Sequence, residues 1–431
     1  MIIENKNLIK EIRGRFENVE NCSVGGERIF FENAGGSLTL KKVVSTSSKF
    51  AALPDNQGRH NEGSNEVSRV IHEGKADLSD FLNTTSGQIF VGESGTELLF
   101  RLISEACLHT SNTGNLVGST LEHPASRSAS QRWTKIASLD YVEIIHNDET
   151  GLVSPTQYYE AVNCNTRVAT IIHTSPITGM TLNLFEISKA IRKKSPNCYI
   201  IVDGIQHAPH GNINIDSYDI DGYVISPYKV FSRHGYGVAW ISDRLAEIPH
   251  NSLSGAPKDS WELGTRDPGS YATFSDVVQY FNWLGEKVSN ETTTRAKINA
   301  AGKAISEYEK HLTDLLLFGT GNLKGLSEYP EIYILGGTTN PARTGLVSFL
   351  INGIESSELV KYLETEGIRV HIRKNDHYSG NVLKPLVIND CVRVSICHYN
   401  TEDEVAKFLS TISNKLLCYT NSNLNKDNTN S

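Results

Sequence analysis

Short apolar runs rich in β-branched residues alternate with helical patterns through the middle of this chain, and this alternation limits the folds open to it. Seven of the runs have the length of a strand, from residues 88–91 to residues 237–241. Amphipathic patterns such as residues 184–194 lie between them. Because each strand can then pack under a helix, the pattern predicts an α/β fold, with helices on the faces of a sheet.

The chain is long enough for two unequal lobes, since 39% of its 431 residues are hydrophobic and can bury a large core. We expect an N-terminal segment over residues 1–25, a large domain over 26–270 and a connecting helix over 271–318. A small α+β domain is expected over 319–418. A disordered tail rich in Asn, Thr and Ser is expected over 419–431.

Charge and hydropathy exclude several classes of partner. The net charge of -8 is spread along the chain, so nucleic acid is not an expected partner. No stretch approaches the roughly 20 apolar residues that cross a bilayer, and the first residues lack the apolar core of a secretory signal. We therefore expect a cytoplasmic protein with no membrane partner. The seven cysteines form no paired spacing, and neither they nor His207, His210 and His234 match a metal-site pattern.

The most informative stretch covers residues 200–241, where two strands end in polar residues. One strand ends in Asp203, and the other leads into Lys229. Ligands of open α/β sheets bind beyond the carboxyl ends of the strands, so these two side chains can meet one ligand. Pyridoxal 5'-phosphate (PLP) needs such a pair: a carboxylate that keeps its pyridine nitrogen protonated, and a lysine that forms an imine with its aldehyde and moves protons.

These residues resemble the cofactor core of fold-type I PLP-dependent enzymes, in the class V aminotransferase family and its cysteine desulfurase-like branch. The core pairs are Asp203 with Gln206, and Ser226 with Lys229. Further motifs follow the family's order at residues 31–36, 92–97, 122–123, 261–265 and 392–401. Any one motif alone is weak, but the ordered set is specific. The resemblance implies a large domain with a mostly parallel, seven-stranded sheet and a small C-terminal α+β domain.

The resemblance also implies where the cofactor's phosphate would bind. Ser94, Gly95 and Thr96 precede a predicted helix, and a helix N-terminus favours an anion. An ordinary capping turn is the alternative. Ser226 and Tyr228 flank the lysine and would add hydrogen bonds to the phosphate, although relatives often have His at the position of Tyr228.

Around the cofactor ring, the resemblance implies three further contacts. Asp203 would pair with the pyridine nitrogen, and Gln206 would donate a hydrogen bond to the phenolic oxygen. His123 would stack on the ring and relay protons, which makes it a second catalytic residue beside Lys229. A lone histidine is more often structural, so that alternative stays open for His123.

Other residues are implied at the substrate and at a second subunit. Arg393 would clamp the substrate's carboxylate with two parallel hydrogen bonds, with Asn33 also contacting the substrate. A solvent-facing strand arginine is the alternative for Arg393. Thr265 would reach the phosphate of a neighbouring subunit, which implies a homodimer with both sites at the interface, and a plain loop is its alternative.

Two departures from the family pattern bear on the reaction. Cysteine desulfurases carry a persulfide-forming cysteine in the small domain, whereas residues 367–378 contain none. Pro176 stands where many relatives have Asn, so a side-chain hydrogen bond is lost. We expect a PLP-dependent enzyme that acts on a small amino acid by transamination or by β-elimination of the C–S lyase type. The alternatives are a PLP-binding protein with little turnover and a desulfurase that uses an external thiol.

Overall fold

A seven-stranded sheet forms the centre of the large lobe in the computed structural model, which describes residues 2–429. Its strands are β1 Gln88–Gly92, β2 Asn115–Ser119, β3 Asp140–Ile144, β4 Thr166–Ile172, β5 Tyr199–Asp203, β6 Gly222–Ile225 and β7 Gly237–Ile241. Their order is β1-β7-β6-β5-β4-β2-β3. Only β7 runs antiparallel to its neighbours, β6 and β1. The predicted fold, a mostly parallel sheet of seven strands, is confirmed.

Alternate residues of the central strands bury on opposite faces of this sheet. Val202 packs into the cluster on one face, while Ile201 packs into the cluster on the other. Because both faces are covered by helices, these strands are apolar throughout rather than alternating with polar residues. The helices of the large lobe are Glu62–Leu82, Gly95–Leu108, Pro124–Ala137, Pro155–Ala161, Leu184–Lys194 and Asp243–Ala246.

Two helices, Gly269–Val288 and Thr294–Phe318, occupy the region for which one connecting helix is expected. The polar residues between them end the first helix, and the Thr293 side chain caps the second by accepting from the Ala296 amide. Gly285 lets the two helices pack closely, since a Cβ there would lie 2.3 Å from the Lys297 carbonyl oxygen. The single long helix is therefore a wrong expectation, because its sequence contains a helix stop and a new cap.

The small lobe contains a four-stranded antiparallel sheet with helices beside it. Its strands are β8 Ile332–Ile334, β9 Leu346–Ile351, β10 His371–Lys374 and β11 Asp390–Ser395, in the order β8-β9-β11-β10. The accompanying helices are Ser356–Thr365, Gly380–Leu383 and Glu402–Thr429.

Both chain ends differ from the expected division. The strand Ile29–Phe30 pairs in parallel with Ile368–Arg369, so residues that the sequence placed in the large domain also join the small lobe. The last helix, Glu402–Thr429, runs into the segment expected to be disordered, while residues 430–431 lie outside the described part. The remaining N-terminal elements are the helices Lys6–Arg13 and Lys41–Ala51 and the short strands Asn21–Cys22 and Gly26–Glu27.

Among the described residues, no helix combines the length and the apolar character that crossing a bilayer requires.

Candidate active site

A cavity lies at the carboxyl ends of the central strands. The loops that follow β1, β2, β5 and β6 supply most of its lining, which is where open α/β sheets place their ligands. Seven of the predicted site residues meet there. The lining residues are Thr96, His123, Ile172, Pro176, Asp203, Ile205, Gln206, Ser226, Tyr228 and Lys229.

Lys229 lies in a short 3-10 turn after β6 and is 8% exposed. Its Nζ donates a hydrogen bond to Oε1 of Gln206 at 3.3 Å. Burial lowers the pKa of Lys229 to about 7, and the nearby cations Arg393 and Arg373 lower it further, while Asp203 opposes them. A substantial fraction of this amine is therefore uncharged near neutral pH, which is the nucleophilic form.

Asp203 is the last residue of β5 and is 2% exposed. Burial raises the pKa of Asp203 to about 6, against the opposing effects of the Ile205 amide and the positive Lys229. The Ile205 N–H donates to its Oδ1 at 3.0 Å. The carboxyl group is thus mainly ionised at neutral pH and can pair with a protonated ring nitrogen.

The turn before the helix Gly95–Leu108 is shaped by close backbone contacts. Ser94 caps this helix, with its Oγ accepting from the Glu97 amide at 3.1 Å. A Cβ on Gly95 would lie 2.4 Å from Oγ of Ser226, and one on Gly237 would lie 2.5 Å from the Ser94 carbonyl carbon. The N–H groups at this helix start and the hydroxyls of Thr96 and Ser226 are donors of the kind that bind an anion, and we call this set the anion cradle.

His123 is the N-cap residue of the helix Pro124–Ala137 and lines the cavity. Its Nδ1 accepts from the Ala125 amide at 3.2 Å, so the neutral ring carries its proton on Nε2. Burial lowers the pKa of His123 to about 3, assisted by the positive charges of Lys229 and Arg373. The ring is therefore neutral at physiological pH and suited to lie against an aromatic ligand.

Arg393 lies on β11 of the small lobe and is 2% exposed. Its Nη1 donates to the carbonyl oxygen of Pro176 at 3.0 Å, and its Nε has no hydrogen-bond partner among the described residues. Burial lowers the pKa of Arg393 to about 9. The sequence analysis considered only the side-chain hydrogen bond that Pro176 lacks. In the structure, the backbone carbonyl of Pro176 positions the Arg393 guanidinium.

Five of the predicted residues are not among the lining residues, and two of these five have surroundings that differ from the expectation. Asn33 donates to the Ser395 carbonyl at 2.7 Å and to Oδ1 of Asn400 at 3.2 Å, and its Oδ1 accepts from the Tyr399 hydroxyl. With both ends of its amide engaged, Asn33 joins the N-terminal segment to the small lobe instead of facing a substrate. Thr265 is exposed and borders a separate surface groove.

A buried hydrogen-bond chain behind the lysine is not predicted by the sequence. Gln206 Nε2 lies 3.2 Å from Nε2 of His210, whose Nδ1 lies 2.8 Å from Oε2 of Glu309. His210 and Glu309 are 3% and 1% exposed. The four-residue spacing of Gln206 and His210 is a usable signal, but nothing in the sequence connects them with Glu309, which lies about a hundred positions away.

The chain belongs to the class V aminotransferase family, whose family model matches residues 29–408. It is 23% identical to a probable cysteine desulfurase of Borreliella burgdorferi, over 88% of this chain and 90% of that one. It is 26% identical to the cysteine desulfurase-like protein ustD of Aspergillus flavus, over 95% and 91%. The enzymes of this family depend on PLP, so the chain is a PLP-dependent enzyme of this type.

Solved structures share the fold. The cysteine desulfurase CsdA of Escherichia coli superposes with a TM-score of 0.77 at 18% identity, covering 96% of this chain and all of that one. An apo cysteine desulfurase from Thermococcus onnurineus gives the same TM-score at 21% identity, covering 94% and 96%.

Proposed function

We propose that this protein holds PLP on Lys229 and acts on the amino group of a small amino acid. The observation that carries the proposal is one cavity in which the buried Lys229 and the buried Asp203 face the same space as an anion cradle. The donor set fits the cofactor: hydroxyl and N–H groups for the phosphate, a carboxylate for the ring nitrogen, and an amine for the aldehyde. When bound, PLP supplies an electron sink for the substrate's α-carbon.

The chain's own residues supply binding and proton transfer. Arg393 holds the substrate's α-carboxylate, because its buried Nε has no hydrogen-bond partner within residues 2–429 and its position is set by Pro176. With substrate bound, Lys229 Nζ would take and return protons at the α-carbon. Its hydrogen bond to Gln206 holds the amine beside the reacting atoms. His123 excludes water from one side of the cavity and presents an Nε2 proton.

The reaction proceeds by transamination or β-elimination, without a persulfide on Cys391 or Cys397, the two cysteines that flank Arg393 in the sequence. Residues 367–378 have no cysteine, and Cys391 and Cys397 are fully buried. Burial raises the pKa of Cys391 to about 12 and that of Cys397 well above its usual value. Sulfur transfer needs an accessible thiolate, and these two cysteines are neither accessible nor ionised.

The proposed assembly is a cytoplasmic homodimer. Thr265 and the preceding Gly264 are on a loop that does not line the cavity of their own subunit. Such a loop is free to complete the cavity of a second copy, where the Thr265 hydroxyl would add a phosphate contact.

Labelling of the lysine tests the proposal. Protein incubated with PLP and then dialysed should keep a visible absorption band, and borohydride should fix a pyridoxyl group on Lys229, located by peptide mass mapping. The Lys229→Ala variant should keep no band. Lys361→Ala, which removes an exposed lysine from the helix Ser356–Thr365, is the matched control and should behave as the parent protein. A band of unchanged intensity in Lys229→Ala would contradict the proposal.

A further inference from the structure

Two arginines lie on one face of the small-lobe sheet. In the antiparallel pair β10 and β11, His371 lies opposite Arg393 and Arg373 lies opposite Cys391. Residues opposite each other share a face, and so do residues two positions apart, so Arg373 and Arg393 point the same way. Arg393 on that face donates to the carbonyl oxygen of Pro176, which lines the cavity, so the Arg393 side chain lies beside the cavity.

Arg373 is held in place by a loop that docks beside His123. Its Nε and Nη2 both donate to Oγ of Ser379, at 2.8 and 2.5 Å. Two residues further on, Asn381 donates to the carbonyl oxygens of Thr120 and Glu122 at 2.7 and 2.8 Å. Only one edge of the guanidinium is used in this way, so the other edge is available to a ligand.

Charge repulsion acts among the basic groups around the cavity. In addition to burial, Arg373 lowers the pKa of Lys229 and of Arg393, whereas the carboxylates of Asp376 and Glu32 act in the opposite sense on Arg373 and Arg393. Asp203 is the single carboxylate among the lining residues. Within the described part of the chain, neither Arg373 nor Arg393 forms an ion pair with a carboxylate. Buried or partly buried cations without a carboxylate partner are costly, and anionic ligand groups remove that cost.

We propose that Arg373 binds a second acidic group, so that the substrate is a dicarboxylic amino acid. This inference rests on the proposed function, in which Arg393 takes the α-carboxylate. The second carboxylate then meets the free edge of Arg373, in the fork geometry that a guanidinium offers to a carboxylate. The cofactor's phosphate does not compete for Arg373, because its cradle lies at the other lobe, on Gly95, Thr96 and Ser226.

Calorimetric titration with unreactive acids tests this assignment on the PLP-loaded protein. The probes are succinate, with two carboxylates, and butyrate, with one. The parent protein should bind succinate at least about 10-fold more tightly than butyrate, which is the effect of one additional charge-assisted contact. Arg373→Gln should remove that preference, and Arg393→Gln should weaken the binding of both acids. Ser379→Ala, which keeps the charge and removes its anchor, should give a smaller loss for succinate.

Lys374→Gln is the matched control, because the exposed Lys374 is the next residue and points to the opposite face of the sheet. It should keep the parent preference for succinate. Equal binding of succinate and butyrate by the parent protein would overturn the inference, as would an equal loss of both acids in Arg373→Gln. The visible absorption band of bound PLP, measured first in every variant, separates failure of the proposed function from failure of the substrate class. A parent protein without the band would contradict the proposed function. A parent protein with the band but without a preference for succinate would contradict only the substrate class.

Discussion

Gly95→Ala tests how closely the phosphate cradle is built. A Cβ at this position would lie 2.4 Å from Oγ of Ser226 and 2.6 Å from Cδ1 of Ile205. Contacts of this kind lie near 3.5 Å, so the neighbours must move by about 1 Å. Such overpacking costs about 1–3 kcal/mol, while alanine gains up to about 1 kcal/mol over glycine at a helix position. We expect a net loss of about 0–3 kcal/mol in the free energy of unfolding.

The larger effect of Gly95→Ala should fall on the cofactor. Displacement of Ser226 moves the Lys229 turn as well, because the Lys229 amide donates to the Ser226 carbonyl at 2.9 Å. Loss of one charge-assisted phosphate contact, worth about 1.5–3 kcal/mol, weakens PLP binding roughly 10- to 100-fold. Equilibrium titration of the visible band measures this affinity, and urea unfolding of the cofactor-free protein measures the stability.

Two other glycines calibrate the measurement. Gly25 is exposed and a Cβ there would come no closer than 3.8 Å to another side chain, so Gly25→Ala should leave both quantities unchanged. Gly36 is intermediate, with a Cβ position 3.3 Å from the Tyr228 ring, and Gly36→Ala should weaken PLP binding less than Gly95→Ala. If Gly95→Ala binds PLP as tightly as Gly25→Ala does, the steric reasoning is refuted.

The remaining predictions concern buried groups. The rate at which the cofactor-free protein captures PLP should rise with pH and be half-maximal near pH 7, because the Lys229 amine must lose a proton before it reacts. Arg393→Gln should move the pH of half-maximal rate upwards, and an unchanged pH would argue against electrostatic coupling between Lys229 and Arg393. Since the pKa of Lys229 is lowered from 10.5 in the folded state, its contribution to stability should also rise between about pH 7 and 10.5. Glu309→Leu should lower the free energy of unfolding by about 1–3 kcal/mol, because His210 Nδ1 loses its partner. The exposed Glu307→Leu in the same helix should change it by less than about 0.5 kcal/mol in a urea titration, and equal effects of the two variants would contradict this account.

The local sequence pattern is sufficient to predict the large sheet and the positions of Asp203 and Lys229 at the site. Each strand is a short apolar run bounded by polar or glycine residues, and a strand's carboxyl end fixes where its next residues emerge. The positions of Asp203 and Lys229 at one crevice therefore follow from the sequence alone. The ordered motifs around them identify the family, and the absence of a cysteine from residues 367–378 is also visible in the sequence.

Tertiary structure decides what depends on contacts between distant segments. Asn33 is expected at the substrate, but its amide is already hydrogen-bonded to Ser395, Asn400 and Tyr399, which are 362 to 367 positions away. The role proposed for Arg373 depends on the pairing of β10 with β11, because this pairing places Arg373 on the same face of the sheet as Arg393. The sequence determines which polar groups are present and on which face of a strand or helix each one lies. The packing of the two lobes determines which of these groups are still able to hydrogen-bond a ligand, because that depends on all the neighbours of each group.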